Sequence, residues 1–208
     1  MRHISITTKR AWLHGSPNGF RSRRHRIQSS GDYKNPPPPG EHAGLLRYHR
    51  ERSGDVGEIP RHLRAPVGRA LVEELGRQGY APLAAAIGAR HGHVLVELPD
   101  DLRAIYRILG EAKSASAHAA RPEITGGLWA ARGGPKPVDN ERHYVNAYWY
   151  VLEDQGPTAS SWSTWEGEYN DPLNPNPRVV ARWEQLTRKR YGAHQRMTSG
   201  PPLRCDPA

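Results

Sequence analysis

The stretch "GARHGHVLVELPDD" (residues 88–101) holds the signals that decide the fold. Successive side chains of a β-strand point to opposite faces, so a strand over residues 91–98 places His91 and His93 on one face. The opposite face carries the apolar residues Val94, Val96 and Leu98. The stretch therefore predicts a strand with one packed face and one chemically active face, and the aspartates that follow indicate the start of a helix.

Hydrophobic periodicity on either side of this strand predicts alternating strands and helices. The strand at 2–8 has Ile4 and Ile6 on one face, and the helix at 140–154 begins at the capping candidate Asn140. The remaining predicted elements are a helix at 66–79, a strand at 80–88 that forms a hairpin with 91–98, a helix at 100–119 and a strand or glycine-rich hairpin at 126–138. This order predicts an α+β fold with a ferredoxin-like antiparallel sheet packed against helices.

Two regions do not fit this pattern. Residues 10–60 contain "RSRRHR" (21–26) and "NPPPPG" (35–40), which predict a long irregular, basic and proline-rich insertion. Its aromatic residues either stack on nucleobases or only anchor the loop. We expect residues 157–208 to form an irregular tail after a domain at 1–156, with a basic helix at 177–191 and a partly disordered end.

Charge is distributed unevenly along the 208 residues, whose formal net charge is +9. A basic front and a basic tail enclose an acidic middle, which suits a polyanionic partner and a divalent cation, although arginine-rich faces can also serve solvation alone. The single cysteine, Cys205, favours a reducing compartment, and no apolar run reaches membrane-spanning length. The expected location is the bacterial-type cytoplasm, associated with the nucleoid, with no membrane contact.

The helix at 140–154 supplies groups that could complete a site with the histidines. Its expected core stripe is Val145, Tyr148, Trp149 and Leu152. Asn146, Tyr150 and Asp154 recur every fourth residue on another face. Two imidazoles and a carboxylate could hold a metal ion, and a phenol beside them could attack a phosphate. Alternatively, the histidines are ordinary hydrogen-bonded residues, Tyr150 is half-buried and Asp154 is solvated.

Three segments in order resemble the HUH single-tyrosine transposases, in particular the REP-associated tyrosine transposases. They are "RHGHVLVEL" with the following helix that contains Lys113, "GLWAARGG" (127–134) and "VDNERHYVNAYWYVLED" (138–154). The resemblance spans about residues 60–156 together with the first strand. It implies a ferredoxin-like sheet with helices, in agreement with the predicted order of elements.

The resemblance also implies a site and a reaction. His91, His93 and Asp154 would bind Mg or Mn, and Tyr150 would be the nucleophile. Tyr150 would nick and rejoin hairpin-associated single-stranded DNA through a 5′-phosphotyrosine, leaving a free 3′-hydroxyl. Whether Tyr150 serves its own histidines or those of a partner in a homodimer is left open. Basic residues expected to contact DNA are Arg21, Arg23, Arg24, Arg26, Lys113 and Arg132.

Two residues depart from the family pattern. Gly92 stands where the family usually has a bulky apolar residue, and since glycine weakens a strand by roughly 0.5–1 kcal/mol, looser histidine geometry is expected. Asp154 stands where the family often has Asn, Gln or His. These departures keep two other hypotheses open, a domesticated, non-catalytic DNA-binding protein and a small metalloprotein with no DNA role.

Overall fold

The computed structural model describes residues 1–17, 19–20, 28–31, 35–53, 57–121 and 123–198, without the side chains of residues 132 and 189–198. The predicted DNA contacts Arg21, Arg23, Arg24 and Arg26 and the cysteine Cys205 lie outside these residues. Within the described residues, no helix is both long and apolar enough to cross a membrane.

The described strands form one six-stranded antiparallel sheet in the order β4-β1-β3-β2-β5-β6. The strands are β1 (Arg2–Thr8), β2 (Pro82–Ile87), β3 (His91–Val96), β4 (Trp129–Pro137), β5 (Ser160–Ser163) and β6 (Gly167–Asn170). The helices are α1 (Ala43–Ser53), α2 (Arg64–Arg77), α3 (Leu102–Ala119), α4 (Glu141–Glu153) and α5 (Pro177–Thr198). The first four strands have the 4-1-3-2 order of a ferredoxin-like sheet, which confirms the predicted fold class.

Helices cover both faces of the sheet. A first core lies between the sheet and helices α2 and α3, and it includes Ile4, Ile6, Val67, Leu71, Ile87, Val94, Val96, Ile105 and Leu109. A second core lies under α4 on the opposite face, and it includes Ala84, Ala86, Leu95, Ala147, Tyr148, Val151 and Leu152. Strand alternation assigns Val94 and Leu95 to different cores, so the histidines of β3 share the α4 face with Leu95.

Side-chain caps fix the starts of α3 and α4. Asp101 accepts hydrogen bonds from the backbone N–H groups of Arg103 (3.3 Å) and Ala104 (2.8 Å) at the start of α3. Asn140 accepts one from the N–H of His143 at 2.9 Å, which confirms it as the cap of α4. Such caps typically contribute about 1 kcal/mol each, because they satisfy donors that the helix leaves free.

The region after residue 156 is more ordered than the sequence predicts. Strand β5 pairs with β2, and β6 pairs with β5, so the hairpin continues the sheet past residue 156. The serines of β5 are buried but paired: Ser161 donates to the carbonyl of Leu152 at 3.1 Å, and Ser163 accepts from the hydroxyl of Tyr148 at 3.0 Å. The expectation of an irregular segment at 157–177 is therefore wrong, because tertiary hydrogen bonds stabilise a strand that has weak β-propensity. Helix α5 begins where the basic helix was predicted and runs to Thr198.

The insertion at 10–60 also contains regular structure. Helix α1 occupies Ala43–Ser53 directly after the proline run, and none of its residues is buried. Its side chains therefore add nothing to either core.

Candidate active site

Two neighbouring strands bring histidines together on the α4 face of the sheet. In the antiparallel register of β1 and β3, Ser5 lies opposite His93 and His3 lies opposite Leu95. The Nδ1 atom of His93 lies 3.1 Å from Nε2 of His3 and 3.3 Å from the hydroxyl oxygen of Ser5. The ring centroids of His91 and His93 are 5.2 Å apart. The predicted His91–His93 pair therefore shares one face, as expected, and His3 and Ser5 extend it.

Tyr150 of α4 lies beside these imidazoles in the same chain. Its ring centroid is 5.3 Å from that of His93 and 5.6 Å from that of His3, and both pairs meet edge to face. The side chain is 40% exposed, whereas His93 is only 8% exposed. One molecule can therefore present a phenol and a histidine cluster to the same ligand without a partner subunit.

Asp154 and Gln155 follow the last turn of α4 and point to different neighbours. The carboxylate of Asp154 accepts two hydrogen bonds from the Arg182 guanidinium of α5, at 2.7 and 3.3 Å. Gln155 instead places its amide oxygen 3.1 Å from Nε2 of His91, and its amide nitrogen donates to the carbonyl of Tyr150 at 2.8 Å. The structure therefore groups Tyr150 with His91 and His93, while Asp154 is joined to α5.

The sequence offered partial signals for the three site residues that the prediction missed, His3, Ser5 and Gln155. His3 and Ser5 alternate with Ile4 and Ile6, so they had to lie on the polar face of β1. The four-residue spacing of Asn146, Tyr150 and Asp154 indicates Asp154, and not Gln155, at the end of α4. Helix α4 ends at Glu153, and beyond that residue helical periodicity no longer says which side chain points at the histidines.

An open cleft of about 520 Å³ lies between the sheet and α4. It is lined by His3, Ser5, His93, Lys136, His143, Asn146, Ala147, Trp149, Tyr150, Asp154 and Arg182. Lys136 and Arg182 are cationic residues of this lining, and Asp154 pairs with Arg182, so these three side chains leave one net positive charge. Such a cleft suits an anionic ligand that must reach the phenol.

The buried histidines are held in the neutral form. Burial lowers the pKa of His93 to about 3, and the positive charges of His91, His3 and Lys136 act in the same direction. Burial also lowers the pKa of His3, together with repulsion from Lys136 and His143. A neutral imidazole has a lone pair that can bind a metal ion, and a lowered pKa means that a proton competes less for that lone pair.

The donor atoms near β3 allow the metal prediction to be examined. Among the described residues, no group of three or more His, Cys, Asp and Glu side chains is arranged to hold a metal ion. The groups nearest the His91 ring are the amide oxygen of Gln155, 3.1 Å from its Nε2, and the His93 ring, 5.2 Å away between centroids. Two imidazole nitrogens and one amide oxygen are a donor set that suits a divalent ion such as Mn²⁺ when water completes its coordination. Asp154, the predicted third ligand, belongs to this set only if Arg182 releases it.

Gly92 has little room for a side chain. A Cβ atom there would lie 2.8 Å from Cδ1 of Ile87 and 3.2 Å from both the carbonyl oxygen of Ala86 and Cγ1 of Ile6. The two isoleucines flank Gly92 on the neighbouring strands and fill the space that a side chain would take. Glycine is therefore favoured by packing at this position.

Of the predicted DNA contacts, only Lys113 has a described side chain. Lys113 is 8% exposed, and its ammonium donates to the carbonyls of Ala130 and Ala131 on β4. Burial lowers its pKa. An ammonium held inside the fold has no surface to offer DNA, so its predicted DNA contact has no support in this position. Arg132 lies on β4, and its side chain is outside the described part of the chain.

The buried face of α4 is rotated by about one residue from the predicted stripe. Ala147, Tyr148, Val151 and Leu152 are buried, whereas Val145 and Trp149 are exposed. The prediction chose the largest apolar residues, but small Ala147 lets the helix approach the sheet. Tyr150 consequently lies at the edge of the cleft.

Comparison with known proteins yields a distant structural relative. No family model matches the sequence, and no curated protein matches it. A solved structure of a REP-associated tyrosine transposase bound to a REP hairpin is similar to this chain, with a TM-score of 0.37 and 14% sequence identity. The match covers 74% of this chain and 64% of that one, so this chain spans less than two thirds of its relative. A likeness this distant transfers no residue role, and the chemistry of the cleft must carry the function.

Proposed function

We propose that this protein is a metal-dependent DNA strand transferase of the HUH single-tyrosine type, which nicks and rejoins hairpin-associated single-stranded DNA. The observation that carries the proposal is the contact of Tyr150 with His93 and His3 in one open cleft of one chain. A partly exposed phenol beside neutral imidazoles is a suitable arrangement for nucleophilic attack on a phosphodiester.

Tyr150 is the nucleophile in this proposal. Its oxygen forms a bond to phosphorus while the bond to the 3′-oxygen breaks, which leaves a 5′-phosphotyrosine and a 3′-oxygen that takes up a proton. The phenol proton can pass to water, because the side chain is 40% exposed. Lys136 lines the cleft and would help to neutralise the scissile phosphate, whereas Arg182 is paired with Asp154. Rejoining is the reverse reaction, with the 3′-hydroxyl as nucleophile.

His91, His93 and Gln155 would hold the divalent ion, Mg or Mn, which would polarise a phosphate oxygen when bound. The structure favours Gln155 over Asp154 because the amide oxygen of Gln155 already contacts His91. Titration of Mn²⁺ into the protein tests this assignment. Gln155→Ala should weaken binding by at least about tenfold, while Asp154→Asn, which keeps the volume of the side chain, should not. The opposite result would make Asp154 the ligand.

The reaction is tested by incubating the protein with Mn²⁺ and labelled single strands that contain a hairpin. A covalent protein–DNA adduct should survive denaturing electrophoresis for the wild type. Tyr150→Phe should abolish it, whereas Tyr144→Phe on the same helix should retain it. An adduct formed by Tyr150→Phe at the wild-type rate would overturn the assignment.

A second candidate is a domesticated, non-catalytic DNA-binding protein. It is favoured by one observation, the bidentate ion pair that ties the predicted ligand Asp154 to Arg182. This alternative predicts salt-sensitive hairpin binding that is unchanged in His91→Ala and Tyr150→Phe. Measurable cleavage by the wild type would exclude it.

A further inference from the structure

Two tryptophans next to the Tyr150 cleft are exposed. Trp149 follows Tyr148 on α4 and is 38% exposed, and Trp165 in the turn between β5 and β6 is 63% exposed. Neighbouring exposed indoles at one place on a surface often mark a binding site. Trp149 also lines the cleft that contains Tyr150, and Trp165 is connected to Trp149 through the Tyr148 ring, which contacts both indoles.

The rings of two buried tyrosines, Tyr148 and Tyr169, pack against the indoles on the side that faces the protein interior. The Tyr148 ring lies 5.1 Å from Trp149 and 5.0 Å from Trp165 between centroids, and its hydroxyl donates to Ser163 at 3.0 Å. Tyr169 lies 6.5 Å from Trp149, and its hydroxyl donates to Glu153 at 2.7 Å. Because the supporting rings are hydrogen-bonded, the indoles are already ordered before a ligand arrives. Little conformational entropy is then lost on binding.

Charge around the tryptophans favours an anionic chain with flat rings. The guanidinium of Arg178 lies 6.0 Å from the centre of the Trp149 ring, in cation–π range. Lys136 and Arg182 continue this positive charge into the cleft. Glu166 lies beside Trp165 and would repel a phosphate there, which indicates that the base, and not the phosphate, contacts Trp165.

We propose that Trp149 and Trp165, with Arg178, form a stacking surface for unpaired nucleobases of the strand whose backbone enters the Tyr150 cleft. The inference rests on the proposed function for the identity of that strand. Stacking tolerates any sequence because every base has a π-face. The surface would therefore hold the single-stranded part of the substrate, next to the phosphate that is cut.

Fluorescence anisotropy with the full chain tests this proposal. The probe is a labelled oligothymidylate of about 12 nucleotides, a length within the usual range of single-strand sites. EDTA is present, so that cleavage cannot contribute. Trp149→Ala and Trp165→Ala should each weaken binding by about 5- to 150-fold, the usual effect of losing one stacked base. Replacement of either tryptophan by Tyr should restore most of the affinity, which also excludes loss of folding as the cause.

Two controls define the result that would overturn the proposal. Tyr106→Ala removes a comparably exposed ring on α3, across the sheet, and should leave binding unchanged. An abasic oligonucleotide of the same length should bind the wild type and both alanine variants equally. Wild-type binding of oligothymidylate by Trp149→Ala and Trp165→Ala would refute stacking. The proposal would also be refuted if these variants bound the oligonucleotide normally but lost a dimer that the wild type forms in sedimentation. That result would show that the surface is an interface between two copies of the chain.

Failure of the proposed reaction gives a different pattern. If the wild type forms no adduct but still binds oligothymidylate through the tryptophans, the stacking surface stands and the nicking activity is rejected. If the adduct forms and the tryptophan variants bind and react normally, the activity stands and the stacking surface is rejected.

Discussion

Gly92→Ala should destabilise the protein, because the new methyl group has no room between two strands. The added Cβ would lie 2.8 Å from Cδ1 of Ile87, which is fully buried, and 3.2 Å from a backbone oxygen that cannot easily move. Overpacking of this kind costs about 1–3 kcal/mol. Replacing a strand glycine also gains about 0.5–1 kcal/mol from reduced chain entropy. Subtracting the midpoint of the gain from the midpoint of the cost leaves a net loss of about 1 kcal/mol in the free energy of unfolding.

A second substitution identifies the contact responsible. Ile87→Val removes the Cδ1 atom and should cost about 0.5–1.5 kcal/mol by itself. In the double variant the closest clash is absent. Its loss of unfolding free energy should therefore be about 1 kcal/mol smaller than the sum of the losses of the two single variants. Strictly additive costs would show that Ile87 is not what excludes a side chain at Gly92.

Urea unfolding followed by far-UV circular dichroism measures these free energies. Gly134→Ala on β4 is the matched control, because its Cβ would meet its nearest atom, the carbonyl oxygen of Ser5, at an ordinary 3.9 Å. That variant should be as stable as the wild type or slightly more stable. If Gly92→Ala unfolds at the wild-type midpoint, the packing explanation for glycine at this position is refuted.

Two further predictions concern buried polar groups. The free energy of unfolding of the metal-free protein should fall as the pH drops from about 6.5 towards 3. In this range His93 binds a proton in the unfolded state but not in the folded state, where its pKa is about 3. His93→Gln should remove up to about 2 kcal/mol of this loss at pH 5, and an unchanged pH dependence would refute the neutral state of His93. Ser116→Ala leaves the buried indole N–H of Trp129 without its 2.8 Å acceptor and should cost about 1–3 kcal/mol in urea unfolding. The same change at exposed Ser114 should cost almost nothing.

The fold was predictable because its signals are local. Alternation in "HGHVLVEL" fixes which face of β3 is buried, and Asn140 marks the start of α4 by a capping bond that needs only neighbouring residues. Strand β5 was missed because its stability is not local. Its serines read as loop residues, and only contacts with α4, such as that of Ser161 to Leu152, make the strand favourable.

The candidate site was predictable only for residues that lie within a regular strand or helix, where the spacing of side chains along the sequence shows which face they occupy. His91 and His93 follow from the alternation of one strand, and Tyr150 follows from its place on one helix. The third residue of the candidate metal site depends on where α4 ends and on which side chain beyond that point faces the histidines. Sequence spacing does not show this, because it depends on the ion pair between Asp154 and Arg182 of α5. The neighbour His3 depends on the register between two strands that lie about ninety residues apart in sequence.

The second core sets the distance between Tyr150 and His93, and this can be tested without assuming any activity. Ala86 lies beside His93 in the β2–β3 register and is buried under α4 with Ala84. Ala86→Leu should overfill this contact at a cost of about 1–3 kcal/mol and raise α4 from the sheet. Nuclear Overhauser contacts between the Tyr150 and His93 rings should then weaken, and adduct formation should fall with them. If the ring contacts persist in a folded Ala86→Leu variant, the small residues under α4 do not position the phenol.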